Sequence, residues 1–388
     1  DKPRFVTFDP GLCAHSRNRR TGCARCLDLC PTGAITPAKD SVAISAEICA
    51  GCGSCAAVCP TGAATYALPP TDALLRRIRT LLLTYREAGG EAPVLLLHDE
   101  AHGEKLIDAL ARHGDGLPAR VLPLRVNETT ALDLALLAAS FAYGATALRV
   151  LMPAKRKHGS DALFRNFEYL EAALAGLGLA QGTPRAAAIE TDDPFTLGEA
   201  LHALPSAPFA FPPATFLPLG SVREISVNAL RALHAGAGSE AILVPMPERA
   251  PFGEALIATE ACTLCLACTG VCPTSALTAN PETPQLRFLE DACVQCGLCA
   301  ATCPEKAITL VPRLNFAAEA ASPRVVKEEP PALCTRCAKP FGTAGSIARV
   351  KAKLAAHWMF ADPQRAAVLE MCEECRVLAA TEGGMDPY

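Results

Sequence analysis

The sequence predicts a multidomain protein of mixed α+β and α/β class. Three observations support this prediction: a length of 388 residues, the confinement of the twenty cysteines to three clusters, and a long cysteine-free middle where apolar and amphipathic segments alternate. Chains of this length usually divide into more than one hydrophobic core. The predicted segments are a first cysteine-rich module at 1–68, an α/β domain at 69–204, a proline-rich connector and helix at 205–250, a second cysteine-rich module at 251–311, a linker at 312–331 and a C-terminal four-cysteine unit at 332–388.

The composition is that of a globular protein, with half of the residues hydrophobic and a formal net charge of −4. This charge disfavours non-specific binding to nucleic acid. Cysteines in tight clusters favour metal or cluster ligation over a disulfide framework, which predicts a reducing compartment, the cytoplasm. The sequence has no run of about 18 apolar residues, so it predicts no membrane span.

One cysteine motif, C-x2-C-x2-C-x3-C-P, occurs intact three times. Its copies are Cys49, Cys52, Cys55 and Cys59 in the first module, and Cys262, Cys265, Cys268 and Cys272, then Cys293, Cys296, Cys299 and Cys303, in the second. The first three thiolates come from one tight loop and bind one cubane cluster, whereas the fourth binds the other cluster of a pair. Zinc knuckles are the alternative, but this triplet spacing suits tetrahedral zinc poorly.

A fourth copy of the motif, "LCAHSRNRRTGCARCLDLCP", is irregular. Cys23, Cys26 and Cys30 supply its second, third and fourth ligands, but an insertion displaces the first, Cys13. Because the entropy of loop closure grows only logarithmically with loop length, we expect Cys13 to ligate the cluster. The alternatives are a three-iron cluster with a free Cys13, or ligation by His15.

If the fourth cysteine of each motif binds the cluster of the other motif in its module, the sixteen cysteines hold four [4Fe-4S] clusters. The predicted ligand sets are Cys13, Cys23, Cys26 and Cys59; Cys49, Cys52, Cys55 and Cys30; Cys262, Cys265, Cys268 and Cys303; and Cys293, Cys296, Cys299 and Cys272.

The insertion after Cys13 carries three arginines, Arg17, Arg19 and Arg20. Positive charge beside a cluster favours its more negative reduced state and raises its potential. A solvated basic loop without any tuning role is an equally good interpretation. Docking to an acidic partner is a third one.

With these motifs, each cysteine-rich module resembles the two-cluster bacterial ferredoxin domain, which has two antiparallel strand pairs and two short helices. The closing phrases "CPTGAI", "CPTGAA", "CPTSAL" and "CPEKAI" form an internal repeat of about thirty residues. The resemblance implies that the chain passes single electrons along a line of clusters. It does not imply the direction of flow.

The cysteine-free middle predicts a parallel sheet. Four apolar runs, "PVLLLHD", "ARVLPLRV", "ALRVLMP" and "RAAAIET", are each followed by an amphipathic segment. Continuous apolar strands that alternate with helices indicate a flavodoxin-like, doubly wound domain over roughly 90–204. A helix precedes it, ended by Gly89 and Gly90, and a proline-rich connector follows it, before a helix whose start has the capping-box spacing of Ser221 and Glu224.

Two loops of this domain follow strands, where doubly wound folds bind ligands. The basic loop that contains Lys155, Arg156, Lys157, His158, Gly159 and Ser160 precedes a helix and has the character of an anion site. The other loop contains His98, Asp99, Glu100 and His102, which are potential metal ligands, although a solvated loop is the simpler interpretation.

The passage "GATALRVLMPAKRKHGSDALFRNFEYLEAALAGLGL" resembles the delta subunit of methyl-viologen-reducing hydrogenase. In that family a cysteine-bearing loop lies between the strand and the helix. Here residues 152–160 contain no cysteine, so we predict a spacer or docking domain without a cluster.

The last four cysteines form two pairs, Cys334 with Cys337 and Cys372 with Cys375. The segment "CTRCAKPF" resembles a zinc-ribbon or treble-clef knuckle, which implies one structural Zn²⁺ held by four thiolates. A fifth cubane is the alternative.

The ends "CTRCAKPFGT" and "MCEECRV" also resemble the multi-ferredoxin 4Fe-4S proteins encoded beside bacterial formate dehydrogenases, which implies such an enzyme as redox partner. The leading hypothesis is therefore a non-catalytic electron-transfer protein. The alternatives are a maturation or redox-sensing factor for such an enzyme, and a small flavin-dependent oxidoreductase.

Overall fold

The computed structural model describes residues 2–280, 282–360 and 362–382. The chain divides into two compact units. The first runs to Gly253 and also includes 294–296 and 312–317, and the second comprises the rest of the described chain. The first unit contains the whole first cysteine-rich module. The second unit contains the second module except for residues 251–253 and 294–296.

The first unit contains eleven strands and eight helices among its described residues. The strands are β1 Val6–Phe8, β2 Ser16–Arg17, β3 Arg20–Thr21, β4 Ile35–Ala38, β5 Ser41–Ile44, β6 Ala64–Tyr66, β7 Val94–His98, β8 Val121–Arg125, β9 Ala147–Met152, β10 Ala186–Glu190 and β11 Leu243–Pro245. The helices are α1 Arg25–Leu29, α2 Ser54–Ala57, α3 Thr71–Glu87, α4 Lys105–His113, α5 Leu134–Ala142, α6 Asp161–Gly176, α7 Pro194–His202 and α8 Val222–Ala237. A π-helical turn at Glu100–Glu104 and 3-10 turns at Pro10–Leu12 and Thr129–Ala131 complete the list.

The predicted parallel sheet is confirmed. Its strand order is β10-β9-β7-β8, and all three strand pairs are parallel. In strand β7, Leu95 and Leu97 belong to one hydrophobic cluster, whereas Val94 and Leu96 belong to another. Because successive side chains of a strand point to opposite faces, the sheet is buried on both sides. This explains why its strands are continuous apolar runs.

The elements predicted around this sheet also form. Helix α3 ends just before Gly89, whose φ is +86°, a backbone conformation that glycine adopts without a Cβ penalty. Residues 203–220, the proline-rich connector, contain no helix or strand. The capping box of α8 is present, with the Ser221 side chain accepting from the Glu224 backbone and the Glu224 side chain accepting from the Ser221 backbone.

The remaining elements comprise seven strands and five helices among the described residues. The strands are β12 Gly253–Ile257, β13 Leu277–Ala279, β14 Gln285–Phe288, β15 Ile308–Asn315, β16 Arg324–Glu328, β17 Pro331–Leu333 and β18 Pro340–Thr343. The helices are α9 Ala267–Val271, α10 Leu298–Thr302, α11 Ala344–Leu354, α12 Pro363–Ala367 and α13 Glu373–Glu382, with 3-10 turns at Glu290–Ala292, Ala318–Ala321, Trp358–Phe360 and Val368–Glu370.

The sequence predicts a linker at 312–331, but this segment contains regular secondary structure. It contains β16, which pairs antiparallel with β14 and extends the β13–β14 hairpin to three strands. The β-branched residues Val325 and Val326 lie in this strand, and such residues favour pleated, half-buried positions. Polar and proline residues on both sides concealed this strand in the sequence.

None of the described helices is long and apolar enough to span a bilayer.

Candidate metal centres

The arginine-bearing insertion folds into a hairpin. Strands β2 and β3 are joined by Asn18 and Arg19, which have φ values of 50° and 62°. Two successive positive φ angles define a type I′ turn, whose twist matches that of the flanking strands. The insertion is therefore an ordered excursion of the chain.

The base of this hairpin brings the displaced cysteine back to the rest of its motif. The backbone N–H of Cys23 donates to the carbonyl of Ala14 at 2.9 Å, directly beside Cys13. The Cys13 side chain is buried. His15, the alternative ligand, has its Nδ1 at 2.9 Å from the carbonyl oxygen of Cys23.

The three arginines of the hairpin differ in their surroundings. The Arg17 guanidinium donates to the backbone carbonyls of Ser16 and Asp40 at 2.8 Å, and to that of Gly11 at 3.3 Å. Arg19 and Arg20 are exposed. Arg17 thus ties the hairpin to its neighbours, and the interpretation as a wholly solvated loop fails for this residue.

The thiols of the first predicted ligand set lie within electrostatic reach of one another. Burial, followed by the charges of Cys23, Cys59 and Cys13, raises the pKa of Cys26 to about 12. Burial likewise raises the pKa of Cys23, with Cys59 and Cys13 adding to it and Arg25 opposing it. Cys59 of the following motif thus acts on the thiols of the irregular motif, and Cys26 in turn acts on Cys55 of the following motif.

In the loop that carries Cys49, Cys52 and Cys55, the segment from Gly53 to Cys55 is buried, whereas Ala50 is exposed. Burial and the neighbouring thiols raise the pKa of Cys55 above the ordinary range of a thiol. Gly53 has a φ of +73°, and a Cβ there would lie 2.4 Å from the Cβ of Ala131, in the turn after β8. Glycine is required because the loop is pressed against the parallel-sheet domain.

Polar contacts fix this loop to the carboxyl end of the sheet. Thr130 Oγ1 donates to the carbonyl of Cys52 at 2.5 Å. Tyr66 Oη donates to the carbonyl of Gly51 at 3.0 Å and accepts from Asn127 Nδ2 at 2.6 Å. The edge at which doubly wound domains hold ligands is here covered by a cysteine loop of the same chain.

The two strand-end loops singled out in the sequence are paired with each other. Lys157 Nζ forms a salt bridge with the buried carboxylate of Asp99 and lies 3.9 Å from a carboxylate oxygen of Glu128. Burial opposes ionisation of Asp99, but hydrogen bonds from Lys157 and from the backbone of Gly103 and His102 hold its pKa below the ordinary value. Lys157 is neutralised within the protein and is not an open anion site.

In the second unit, four cysteines line one cavity. They are Cys262, Cys265 and Cys268 of one motif and Cys303 of the next. The apolar side chains of Ile257, Leu286 and Ile308 also line it, and its empty space is about 370 Å³ including the opening to solvent. Four thiols from two motifs around a cavity with an apolar wall fit a cubane cluster.

The fourth cysteine of each motif accepts further polar contacts. Cys59 Sγ accepts from the backbone N–H of Ala64 at 3.3 Å, and Cys303 Sγ from that of Ala307 at the same distance. A threonine hydroxyl two residues later lies within 3.8 Å of Sγ at Cys30, Cys59 and Cys272. Hydrogen bonds to cluster sulfurs are one of the ways in which a protein sets the potential.

The C-terminal cysteines form a different kind of site. The Sγ atoms of Cys334, Cys337, Cys372 and Cys375 all lie within 4.8 Å of one another, the only such group of His, Cys, Asp or Glu ligand atoms in the described chain. The Cys337 and Cys372 sulfurs are 3.7 Å apart. Tetrahedral Zn²⁺ with Zn–S bonds of about 2.3 Å requires sulfur separations of about 3.8 Å.

The local backbone explains this convergence. Cys334 and Cys337 lie in the turn between β17 and β18, where Ala338 has a φ of 59°, and Cys375 lies in α13. Although burial opposes it, backbone N–H groups of Cys372, Cys337 and Arg336 lower the pKa of Cys334 to about 6. Burial raises the pKa of Cys375 to about 12. The low pKa of Cys334 favours its thiolate form, and metal binding requires thiolates.

Comparison with protein families agrees with the two cysteine-rich modules. Residues 19–63 and 261–307 each match the 4Fe-4S dicluster domain. The first match begins after Cys13, which therefore lies outside it. A comparison with curated proteins found no match.

The chain thus carries two 4Fe-4S dicluster domains, one before and one after the four-stranded parallel sheet in the sequence, and the domains indicate iron–sulfur electron transfer. Sequence reasoning missed the contacts of Tyr66 and Thr130 with this loop and the hydrogen bond from Ser54 Oγ to the Gly159 carbonyl, because the partners are distant in sequence. The one local signal was "GCGSC", whose two glycines permit a closely packed loop.

Proposed function

We propose that the protein holds four [4Fe-4S] clusters in the predicted crossed ligand sets and relays single electrons between redox partners. The single observation that supports this best is the cavity lined by Cys262, Cys265, Cys268 and Cys303, since two separate motifs contribute to it. The charges of Cys13 and Cys59 act on Cys23 and Cys26, as the same pattern requires in the first module, while Cys26 also acts on Cys55 of the neighbouring set. The remaining ligands are assigned from the spacing of the motifs alone: Cys30, Cys272 and the three cysteines at 293–299.

We also propose that the C-terminal cysteines bind one Zn²⁺ as a closed structural site. The separation of 3.7 Å between Cys337 and Cys372 Sγ supports a single ion, because the thiolates of a cubane bind four different irons and stand further apart. When bound, the ion would hold α13 against the β17–β18 turn. A site with four thiolates leaves no coordination position for a substrate.

The middle domain is, in this proposal, a flavodoxin-like docking platform. Its spatial strand order is 2-1-3-4 in chain order, as in the first strands of that fold. The seating of the Cys49–Cys55 loop on its carboxyl edge supports a role in shielding a cluster. The proposed redox partner is a formate dehydrogenase, on the resemblance of the chain's C-terminal segments alone.

The proposal is tested by metal analysis of anaerobically purified protein. We expect about sixteen irons per chain, four per cluster, together with one zinc. About twenty irons without zinc would overturn the C-terminal assignment. Electron paramagnetic resonance during a redox titration should then resolve four one-electron centres, and clusters that never exchange electrons with a reduced partner would instead favour the maturation or sensing role.

A further inference from the structure

A cavity in the first unit is lined by four arginines. Arg25 of α1, Arg165 of α6, Arg223 of α8 and Arg249 reach it, together with the backbone segment from Ala57 to Pro60 that contains Cys59. Tyr169 of α6 also lines it. Its empty space is about 570 Å³, including the opening to solvent.

Two of the four arginines already have partners. Arg249 pairs with Asp28 at 3.1 Å. The Arg223 guanidinium donates to the carbonyl of Pro251 and lies 4.3 Å above the ring of Phe252. These contacts anchor both side chains at the cavity wall.

Arg25 and Arg165 have no such partners. The Arg25 side chain is 9% exposed, and in the part of the chain that the structure describes its guanidinium forms neither a hydrogen bond nor an ion pair. Arg165 is half-buried and is likewise unpaired among the described residues. The charge of Arg25 acts on the Cys23 thiol, but no carboxylate of the described residues pairs with either arginine, which favours an anion at this wall.

A tyrosine hydroxyl adds a donor to the same cavity. Tyr169 is 7% exposed, and its Oη has no hydrogen-bond partner among the described residues. Burial raises its pKa, so that the phenol stays protonated, while Arg25 and Arg165 act on it from nearby. The one carboxylate at the wall, Asp133, already accepts from Leu136 N–H and the Thr71 hydroxyl.

We propose that this cavity binds a small oxyanion, of phosphate or carboxylate type, through Arg25, Arg165 and the Tyr169 hydroxyl. Guanidinium groups offer planar paired donors that match such oxygens, and the phenol supplies a further donor. The site adjoins Cys59, a predicted cluster ligand. Reduction of the cluster that Cys59 would bind adds negative charge beside the site, and this charge weakens the binding of an anion.

The binding step is tested independently of electron transfer. Isothermal titration calorimetry of the anaerobic holoprotein, in a low-salt buffer, uses inorganic phosphate in one series and acetate in another. We expect saturable binding of at least one probe at one site per chain. Arg165→Gln should weaken it about 10- to 100-fold, since hydrogen bonds to charged groups contribute about 1.5–3 kcal/mol.

Two further variants make the test specific. Tyr169→Phe keeps the packing and should weaken binding about 2- to 10-fold through loss of one neutral hydrogen bond. Arg112→Gln, an exposed arginine on α4 that does not line the cavity, should bind like the original protein. Iron content and circular dichroism confirm that each variant is loaded and folded.

The linked readout is the potential of the adjoining cluster. A tenfold weaker affinity in the reduced state lowers the midpoint by about 59 mV at saturating anion. The proposal is overturned if neither probe binds, if Arg165→Gln binds like Arg112→Gln, or if Arg165→Gln shifts the potential without any anion binding. The last result would mean that the cluster itself is the counter-charge of these arginines.

Discussion

The hydroxyl of Ser54 lies 2.9 Å from the carbonyl oxygen of Gly159 and 3.4 Å from the sulfur of Cys52. One buried side chain thus contacts both the loop after β9 and a predicted cluster ligand. Its single proton is shared between an oxygen and a sulfur, so the position of the 154–160 loop affects the hydrogen bonding of the thiolate.

We predict that Ser54→Ala lowers the midpoint potential of the cluster bound by Cys52. A hydrogen bond to a cluster sulfur favours the more negative reduced state, and a bond of about 1 kcal/mol corresponds to about 40 mV for one electron. The measurement is a redox titration followed by electron paramagnetic resonance. The other clusters of the same molecule are the internal control, and a uniform shift of all centres would contradict the local explanation.

Cys13→Ser should convert the first cluster to a three-iron form or remove it. The hairpin holds Cys13 beside Cys23 and the side chain is buried, so no external ligand replaces the lost thiolate easily. Iron analysis should show a loss of about one to four irons, and the spectrum should gain a three-iron signal in the first case. His15→Asn is the matched variant: if it, rather than Cys13→Ser, loses iron, His15 is the ligand.

Arg17→Gln should destabilise the hairpin more than Arg19→Gln does. Arg17 donates to three backbone carbonyls, whereas Arg19 is exposed in the turn. Each hydrogen bond contributes about 1 kcal/mol, and the loss leaves carbonyls unsatisfied. Limited proteolysis near residues 17–20 measures the effect, and equal cleavage of both variants would contradict it.

The C-terminal site provides a prediction about metal removal. Cys337→Ser should abolish zinc binding and leave the iron content unchanged, because its sulfur lies 3.7 Å from that of Cys372 and the residue lies outside both dicluster matches. Without the ion, α13 is no longer held to the β17–β18 turn, so proteolysis within 332–382 should accelerate. Thr335→Ser, between the two cysteines of the same turn, is the control. Loss of about four irons in Cys337→Ser would indicate a cubane.

The sequence predicted those features that depend on local pattern. The Leu95–Leu97 run, the capping box at Ser221 and the motif spacings each express a rule that acts within a few residues. Contacts over long separations could not be predicted in this way. Ser54 and Gly159 are 105 residues apart, and the placement of Arg25 and Arg165 at one cavity depends on the shared hydrophobic cluster of Leu29 in α1 and Ala162 in α6.

The buried N-cap of α5 provides the last prediction. Burial raises the pKa of Asp133 from 3.8 to about 6, against hydrogen bonds from Leu136 N–H, the Thr71 hydroxyl and Ala135 N–H that favour ionisation. At pH values between 3.8 and about 6, the folded state binds more protons than the unfolded state. Stability is therefore lost as pH rises from about 4 through 6, by an amount on the order of 3 kcal/mol.

Asp133→Asn keeps an N-cap acceptor and cannot ionise, so the variant should become more stable than the original protein as pH rises from 5 to 7. The exposed N-cap Asp193 is the matched control. Hydrogen bonds from the Thr196 side chain and backbone lower its pKa, so Asp193→Asn should lose stability at neutral pH instead. Anaerobic thermal unfolding followed by circular dichroism measures both differences. A change of the same sign in the two variants would contradict the assignment, because burial at Asp133 and exposure at Asp193 require opposite effects.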